Sequence, residues 1–451
     1  MRGAWKKPVL ILLLLGAVVA APLSLRQEGG GGDRDAELRL NVITPHNETI
    51  RREFGEAFAA YWEEKTGEKI YVNWRTPGGT SEIKRVLDSA FEAAAERGAE
   101  GIGIDVFFGG GEYDFSAQAK MGRFQRARIF DSQPELFSGG EIPQTMSGEI
   151  YHDPEGLWVG VVLSSFGICY NRDLVELKGL PAPTRWADLT DPRYVRNIAL
   201  ADPTKSGSVA KAFEMLMQEA ISEEIAKGDA SRDELIARGW EVGLNRIKMI
   251  GANARYFSDS ASKVPLDVAQ GNAMAGMCID FYGRTLGEKV KKDGEPSRLQ
   301  FVTPAGGSSI SVDPVAVLKG ADNLEAAQAF VEFLLTPEAQ MIWNARVGSE
   351  PGPEYRALRR LPIRRDLYRE PYLENMVDAQ VMPYELAEQF HYDGSLTGHL
   401  FTPLRTIVRS MCIDSSQELK AAWIALVDND FPPEAERVFR DVTLAAYDRA
   451  G

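Results

Sequence analysis

The sequence predicts an α/β protein of two units, each with a mainly parallel sheet flanked by helices. Its 451 residues suffice for two or three domains of ~150 residues each. Segments with strand periodicity alternate with segments of helical periodicity near the start of the chain, and apolar strands separated by helical segments resume after residue 157. Hydrophobic residues make up 44% and charged residues 26%, as in ordinary globular domains.

The first unit is predicted from a β-α-β-α-β order. Alternation of apolar and polar residues marks the strands, and apolar residues three and four apart mark the helices. In order, the predicted elements are a strand at 38–42, a helix over 54–62, a strand at 70–74, a helix over 83–91 and a strand at 105–108. Connections of this length favour parallel pairing with helices packed on the sheet.

The second unit is predicted from longer apolar runs. The elements are a strand at 157–170, a strand at 198–200, a helix from residue 209, helical residues 219–240, a strand at 274–282, a strand at 310–318 and a helix at 324–335. More than one chain crossing is expected to join the two units. Residues 372–451 are mostly helical in pattern.

The amino terminus predicts export. Its positive charges are those of Arg2, Lys6 and Lys7. An apolar stretch at 9–21 follows, and the small residues Val18 and Ala20 suit a signal peptidase, so residues 1–20 are a predicted signal peptide. An uncleaved anchor is the alternative. Both place the protein in the periplasm or outside the cell, and residues 21–36 are a glycine-rich linker.

Charge and composition exclude several function classes. The formal net charge of −14 argues against a nucleic-acid partner and against an anionic membrane surface. Four histidines and three cysteines leave little material for a metal cluster, and no cofactor is indicated. For Cys169, Cys278 and Cys412, one disulfide with a free thiol and three buried thiols both remain open.

Candidate binding residues follow the predicted strands. In open parallel sheets, ligands bind at the carboxyl ends of the strands, so the polar residues there are expected to converge. These residues are Thr44, His46 and Asn47 after the first strand; Gly79, Thr80 and Ser81 after the second; Gly110 and Glu112 after the third; Asp202, Thr204, Ser206, Gly207 and Ser208 after the strand at 198; and Asp280, Tyr282 and Arg284 near the end of the strand at 274.

The turns at 202–208 and 78–82 are the most suggestive of these segments. Hydroxyls and glycines at a helix start leave backbone N–H groups free for an anion. Either turn alone is more typical of ordinary helix capping, but two such turns, one in each unit, favour a bound anion. His46 alone is more typical of a surface or capping residue, and Tyr282 of a core residue. The arginines at 356–365 could neutralise an anionic partner, but a solvated face is favoured.

Several motifs together resemble a known family. They are DVFF at 105–108, WADLTDP at 186–192, IALADP at 198–203, SGS at 206–208, AFVEFLLTPEAQ at 329–340 and LPIR at 361–364. In this order, behind an export signal, the chain resembles the bacterial extracellular solute-binding proteins of ABC importers. The similarity is to the ferric-iron-binding-like branch of the two-lobed, type II periplasmic binding fold, over about residues 38–370.

The resemblance implies a division into lobes. An N-terminal lobe would comprise residues 37–156 plus about 306–371, and a C-terminal lobe residues 157–305, with hinge crossings between them. Residues 372–451 would form a helical extension packed on the lobes. The resemblance also implies a monomer that is not an enzyme. It would capture a small solute in the cleft and deliver it to an ABC permease in the inner membrane.

Iron is the alternative ligand that the resemblance raises. Ferric-binding members hold the metal with a histidine, a glutamate and two adjacent tyrosines. His46 is similar to that histidine, but the paired tyrosines appear here as Phe281-Tyr282, so one phenolate is missing. The acidic ligand would be Glu82 or Glu112. An organic or phosphorylated anion is therefore favoured, and iron bound by His46 and Tyr282 is the alternative.

Two further alternatives belong to other functional classes. A secreted solute sensor would use the same cleft. A secreted hydrolase would use Ser206 or His46, but no nucleophile–base pairing is recognisable, and the sequence has none of the phosphate-loop, zinc-protease or nucleophile-elbow motifs.

Overall fold

The computed structural model describes residues 38–292 and 294–442. Its strands are β1 (Leu38–Ile43), β2 (Ile70–Arg75), β3 (Val106–Phe108), β4 (Phe124–Gln125), β5 (Thr145–Met146), β6 (Glu149–Ile150), β7 (Val159–Asn171), β8 (Ile198–Ala201), β9 (Ala254–Ser258), β10 (Ala275–Ile279), β11 (Leu299–Val302), β12 (Ile310–Leu318) and β13 (Leu361–Pro362). The predictions for residues 1–36 lie outside the described residues.

Helices connect the strands and cover the sheet. The α-helices are Glu48–Thr66, Thr80–Glu96, Glu112–Lys120, Ile129–Ser132, Glu135–Ser138, Arg172–Leu177, Gly207–Lys227, Arg232–Asn253, Lys263–Ala269, Asp280–Lys289, Leu324–Leu334, Pro337–Ile342, Pro383–Ala387, Gly394–Thr397, Phe401–Val408, Ser416–Asp428 and Pro433–Arg440. Short 3₁₀ turns lie at Trp186–Thr190, Pro192–Tyr194, Arg365–Leu367, Leu373–Asn375 and Gly398–Leu400, and a π-helical segment at Arg409–Asp414. In the described part of the chain, no helix is both long enough and apolar enough to cross a membrane.

One long strand joins two lobes into a continuous sheet. The order is β2-β1-β3-β12-β7-β10-β8-β9. The first half of β7 pairs with β12 and its second half with β10, both antiparallel, whereas β1 pairs in parallel with β2 and β3, and β8 with β9 and β10. The predicted two-lobed α/β fold is confirmed, with antiparallel strands at the join between the lobes.

Burial on both faces explains the apolar character of β7. All but one of its residues are buried, so its sequence is a continuous apolar run without the alternation of a half-exposed strand. The helix Glu48–Thr66 packs against the N-terminal lobe through Phe54 and Phe58, which are four residues apart and therefore share a face. The Phe58 ring lies 4.9 Å from that of Phe330.

Two element predictions were wrong in detail. The strand expected at 274–282 ends at Ile279, and a helix starts at Asp280, whose side chain accepts a hydrogen bond from the N–H of Phe281 at 2.7 Å. Tyr282 therefore lies in the first turn of a helix. The helical region at 219–240 is interrupted at Gly228, which has a φ of 63°, so two helices form instead of one.

The chain crosses between the lobes at three places. These are β7, the link from β11 to β12, and a link near residues 388–394. Tyr384 before the third link donates to Ile363 O in the N-terminal lobe. Beyond it, the helices at 401–408 and 416–428 pack on the two long helices of the C-terminal lobe. The predicted boundary at 157 assigns all of β7 to one lobe, whereas the strand is shared; the other boundaries stay predictions.

Candidate binding site

A cavity of about 730 Å³ lies between the lobes, at the carboxyl ends of the parallel strands. The predicted site residues in its wall are His46, Asn47, Gly79, Thr80, Gly110, Glu112, Ser206, Gly207, Ser208 and Tyr282. Segments up to 236 residues apart in sequence thus converge here, because each follows a strand of the same sheet.

Six predicted site residues lie behind the cavity wall: Thr44, Ser81, Asp202, Thr204, Asp280 and Arg284. Thr44 Oγ1 accepts from the His46 N–H at 3.1 Å. Asp202 accepts from the Thr204 N–H at 2.8 Å and pairs with Arg409 at 2.6 Å.

The buried Asp280 pairs with Arg284 at 2.8 Å. Asp202, Asp280 and Arg284, which were predicted as binding residues, therefore have protein partners.

Several helices begin in the cavity wall. They are the helices that start at Glu48, Thr80, Glu112, Gly207 and Asp280. Gly79 and Gly111 precede two of them and supply no capping side chain, so first-turn N–H groups lack a side-chain acceptor. Ser206 caps a third by accepting from the Val209 N–H. The starts at Glu48 and Asp280 already have side-chain acceptors, Asn47 and Asp280, so the helix starts that line the cavity directly are those at Thr80, Glu112 and Gly207.

The lobes touch at the mouth of the cavity. A Cβ added at Gly207 would lie 2.8 Å from Thr80 Oγ1, and one at Gly79 would lie 3.1 Å from Lys205 O. Ser81 Oγ donates to Thr204 O across the same gap at 3.3 Å. Glycine at 79 and 207 therefore allows two helix starts, one from each lobe, to meet closely.

Arg360 forms the base of the cavity together with His46 and Asp313. Its guanidinium lies 2.7 Å from Asp313 Oδ2 and 3.3 Å from His46 Nε2, donates to Ser164 Oγ at 2.6 Å, and is fully buried. The Phe281 ring lies 4.5 Å from the guanidinium carbon. Arg360 therefore forms both a buried ion pair with Asp313 and a cation–π contact with Phe281.

Burial and neighbouring charges set the ionisation state of each titratable group at the base of the cavity. Burial lowers the pKa of His46, so the imidazole is neutral at neutral pH. Burial opposes ionisation of Asp313, but the charge of Arg360 and the hydrogen bond from His46 outweigh it and lower the Asp313 pKa. Burial raises the pKa of Tyr282, which therefore stays a phenol.

A second charged group lines the cavity around Lys211. Its ammonium lies 3.0 Å from carboxylate oxygens of both Glu149 and Glu214 and 3.8 Å from the centre of the Tyr392 ring. Burial disfavours the ammonium, but these carboxylates outweigh that effect and raise its pKa. Burial also raises the pKa of Glu112.

Asp114 lies in the same wall, and burial raises the pKa of its carboxyl group to about 6.

Much of this wall was not predicted from the sequence. Arg360, interpreted as part of a solvated face, is fully buried, so that interpretation was wrong for this residue. A detectable signal was its position directly before the Leu361-Pro362 segment that pairs with β7. Asp313, a single acid within the apolar run of β12, was a second such signal. Lys211, Glu214 and Tyr392 had none, because the contacts that bring Glu149 and Tyr392 to the Lys211–Glu214 pair are long-range.

The described residues contain no group of three or more His, Cys, Asp or Glu side chains placed to hold a metal ion. Cys169, Cys278 and Cys412 are free and buried. Ser206 Oγ lies 3.2 Å from Ser208 Oγ, whereas His46 contacts Asp313 and Arg360. The arrangement suits reversible binding of a small molecule.

Comparisons with known proteins identify the family of the chain and agree with its two-lobed fold. The profile of the family described as bacterial extracellular solute-binding protein matches residues 104–363, more than half of the chain. The phosphoglycerate transport regulatory protein PgtC of Salmonella typhimurium is 25% identical over 290 residues, which are 60% of this chain and 66% of that protein, slightly under two thirds of its length.

Two solved structures illustrate the likeness in fold. The periplasmic binding protein AfuA from Actinobacillus pleuropneumoniae, with exogenous fructose-6-phosphate bound, is 19% identical with a TM-score of 0.53, covering 86% of this chain and 98% of that one. Iron-bound HitA from Pseudomonas aeruginosa is 16% identical with a TM-score of 0.53, covering 83% and 99%. At these identities the likeness shows the fold alone. The predicted family resemblance is confirmed.

Proposed function

Because the chain belongs to the bacterial extracellular solute-binding proteins, we propose that it captures a small organic anion, most simply a phosphorylated one, and delivers it to an ABC permease in the inner membrane. It would do so in the periplasm, as a monomer and without altering the solute. The observation that carries the proposal is the convergence of the helix starts at Thr80, Glu112 and Gly207 on one interlobe cavity.

Helix starts, rather than the buried cations Arg360 and Lys211, would supply the attraction. Arg360 is already paired with Asp313, and Lys211 with Glu149 and Glu214, so neither brings an uncompensated charge to a ligand. The first-turn N–H groups at Thr80 and Gly207 come from opposite lobes, so a phosphate between them would be bound from both sides. The name of the phosphoglycerate-related protein accords with such a ligand.

The iron alternative fits the base of the cavity less well. A ferric ion there would compete with the guanidinium of Arg360, which already lies against His46 and Asp313. The phenol of Tyr282 has a raised pKa, which opposes the phenolate that ferric iron prefers, and Phe281 offers no oxygen. The sensor alternative uses the same cavity and differs only in the membrane partner.

The test begins with native mass spectrometry of the protein purified from its own periplasm, to weigh any retained solute. Calorimetry with 3-phosphoglycerate and inorganic phosphate then compares the wild type with the double variant Ser206→Ala/Ser208→Ala. Each hydroxyl that donates to a charged ligand contributes ~1.5–3 kcal/mol, so affinity should fall at least tenfold. Loss of the Ser206 cap should cost about 1 kcal/mol of stability, which urea unfolding measures separately.

The matched control is Ser260→Ala/Ser262→Ala. These two hydroxyls also contact each other, at 2.9 Å, and lie in the wall of the same cavity, but they are exposed. The control should retain the wild-type affinity. Equal losses in both double variants would contradict the anion site at Ser206 and Ser208. A retained metal, or a tyrosinate-to-iron absorption band on adding ferric citrate, would favour the iron alternative.

A further inference from the structure

The C-terminal segment 392–409, here termed the latch segment, forms part of the same cavity. Tyr392, His399 and Phe401 lie in its wall. The stretch that matches the family profile ends at residue 363, so the latch segment lies beyond it. We infer that the latch segment holds the two lobes together around the solute and that Arg405 is the positioning residue that joins them. This inference rests on the proposed function.

The C-terminal lobe carries the latch segment. Gln218 Nε2 of the helix Gly207–Lys227 donates to Asp393 O and to Thr397 Oγ1, both at 2.7 Å. The helix Phe401–Val408 packs on the same long helix. Beyond the segment, Trp423 Nε1 donates to Asn253 Oδ1 at 2.8 Å. These contacts lie within one lobe, so a hinge motion would leave them intact.

Other contacts of the latch segment reach the N-terminal lobe. Arg405 donates to Ser81 Oγ at 2.6 Å, at the start of the helix Thr80–Glu96. The Tyr113 hydroxyl lies 3.2 Å from Thr402 Oγ1, and its ring centre lies 5.0 Å from that of Phe401. Hinge opening would break these contacts, because their two sides belong to different lobes.

Arg405 connects the two helix starts directly. While one nitrogen contacts Ser81, Nε donates to Pro203 O at 2.7 Å, in the turn that precedes the helix Gly207–Lys227. Within residues 38–292 and 294–442, Arg405 forms no ion pair, although Asp114 of the N-terminal lobe and Asp202 of the C-terminal lobe attract its charge from further away. The guanidinium is therefore satisfied by neutral acceptors from both lobes, and separating the lobes would remove the Ser81 acceptor.

Arg409 provides a matched control in the same segment. It lies four residues further along and contacts the same turn, pairing with Asp202 at 2.6 Å, but the described contacts of its side chain include no residue of the N-terminal lobe. Loss of Arg409 should leave the latch segment attached to its own lobe, because the Gln218 hydrogen bonds and the helix packing remain. Loss of Arg405 should release the other lobe.

The experiment compares full-length Arg405→Ala, Ser81→Ala and Arg409→Ala with the wild type. Spin labels at Arg85→Cys and Glu241→Cys, both exposed and on opposite lobes, report lobe separation without ligand. Labelling is selective because the three native cysteines are buried. Stopped-flow fluorescence with 3-phosphoglycerate measures the dissociation rate, and thermal unfolding measures stability.

The inference predicts a longer interlobe distance for Arg405→Ala and Ser81→Ala, with dissociation about tenfold faster, as expected for one lost hydrogen bond to a charged group. Arg409→Ala should keep the wild-type distance and rate. Equal distances in all variants, or equal changes in Arg405→Ala and Arg409→Ala, would overturn it. Ser81→Ala decides the outcome if Arg405→Ala does not fold.

The interlobe distances need no ligand. If 3-phosphoglycerate does not bind the wild type, the proposed ligand class is at fault and the distances still test the latch.

Discussion

Replacing Arg360 by Met tests whether the base of the cavity is held by a buried ion pair. Met has similar length and keeps the packing against Phe281, but it removes the charge beside Asp313 and the donor to Ser164 Oγ. Because Arg360 is fully buried and the Asp313 side chain is 14% exposed to the cavity, water there can replace the lost partner only in part. Breaking one side of such a pair costs about 3–5 kcal/mol of unfolding free energy.

The pH dependence gives the reasoning a sharper test. In the wild type the folded-state pKa of Asp313 is lowered, so its stabilising contribution is present above its unfolded pKa of about 3.9 and is lost as pH falls through the lower folded value. In Arg360→Met, burial without the cation should raise that pKa instead. The difference in stability between the two proteins should therefore grow as pH rises from about 4.

Urea unfolding at a series of pH values between 4 and 8 measures this difference. The control is Arg360→Met/Asp313→Asn, in which no uncompensated charge remains, so most of the lost stability should return at neutral pH. A loss below about 1 kcal/mol in Arg360→Met, or a loss that does not change with pH, would refute a buried ion pair at the base of the cavity.

Two further substitutions probe closure and charge at the mouth of the cavity. Gly207→Ala should weaken ligand binding with little change in stability, because the new Cβ would lie 2.8 Å from Thr80 Oγ1 of the other lobe. The control is Gly111→Ala, whose Cβ would have no atom within 4 Å and which should bind the ligand normally in the same calorimetric assay. Asp114 has a folded-state pKa of about 6, so its contribution to stability is present below its unfolded pKa and is lost as pH rises through 6. Asp114→Asn should therefore be up to about 2 kcal/mol more stable than the wild type at pH 8 and equal to it near pH 4, and equal stability at both pH values would contradict the raised pKa.

Local patterns predicted most of the fold. Alternation of apolar and polar residues at 38–42 and the helical spacing of apolar residues at 54–62 predicted the correct elements. In both segments, the spacing of apolar residues along the sequence is enough to tell a strand from a helix. The end of β10 could not be predicted in this way, because the apolar residues Ile279, Phe281 and Tyr282 continue across the boundary between the strand and the following helix. Only the side chain of Asp280, bonded to the N–H of Phe281, marks the helix start there.

The candidate site was predictable only where it follows strand ends. The glycines and hydroxyls at 78–82 and 202–208 could be placed together because parallel strands share one edge. The ion pair of Arg360 with Asp313 joins residues 47 positions apart through β12 and β13, and Arg405 contacts Ser81 across 324 positions. Such pairs depend on tertiary packing, which cannot be predicted from the spacing of apolar residues along the sequence.

The acidity of the chain and the proposed anion site are compatible because they act over different distances. Repulsion from a net charge of −14 is long-range, and salt screens it beyond about 8–10 Å. First-turn N–H groups act at contact distance and carry partial positive charge without adding to the net charge. With Arg360 already paired to Asp313, the helix starts at Thr80 and Gly207 would supply the local attraction, and closure of the lobes would bring them together.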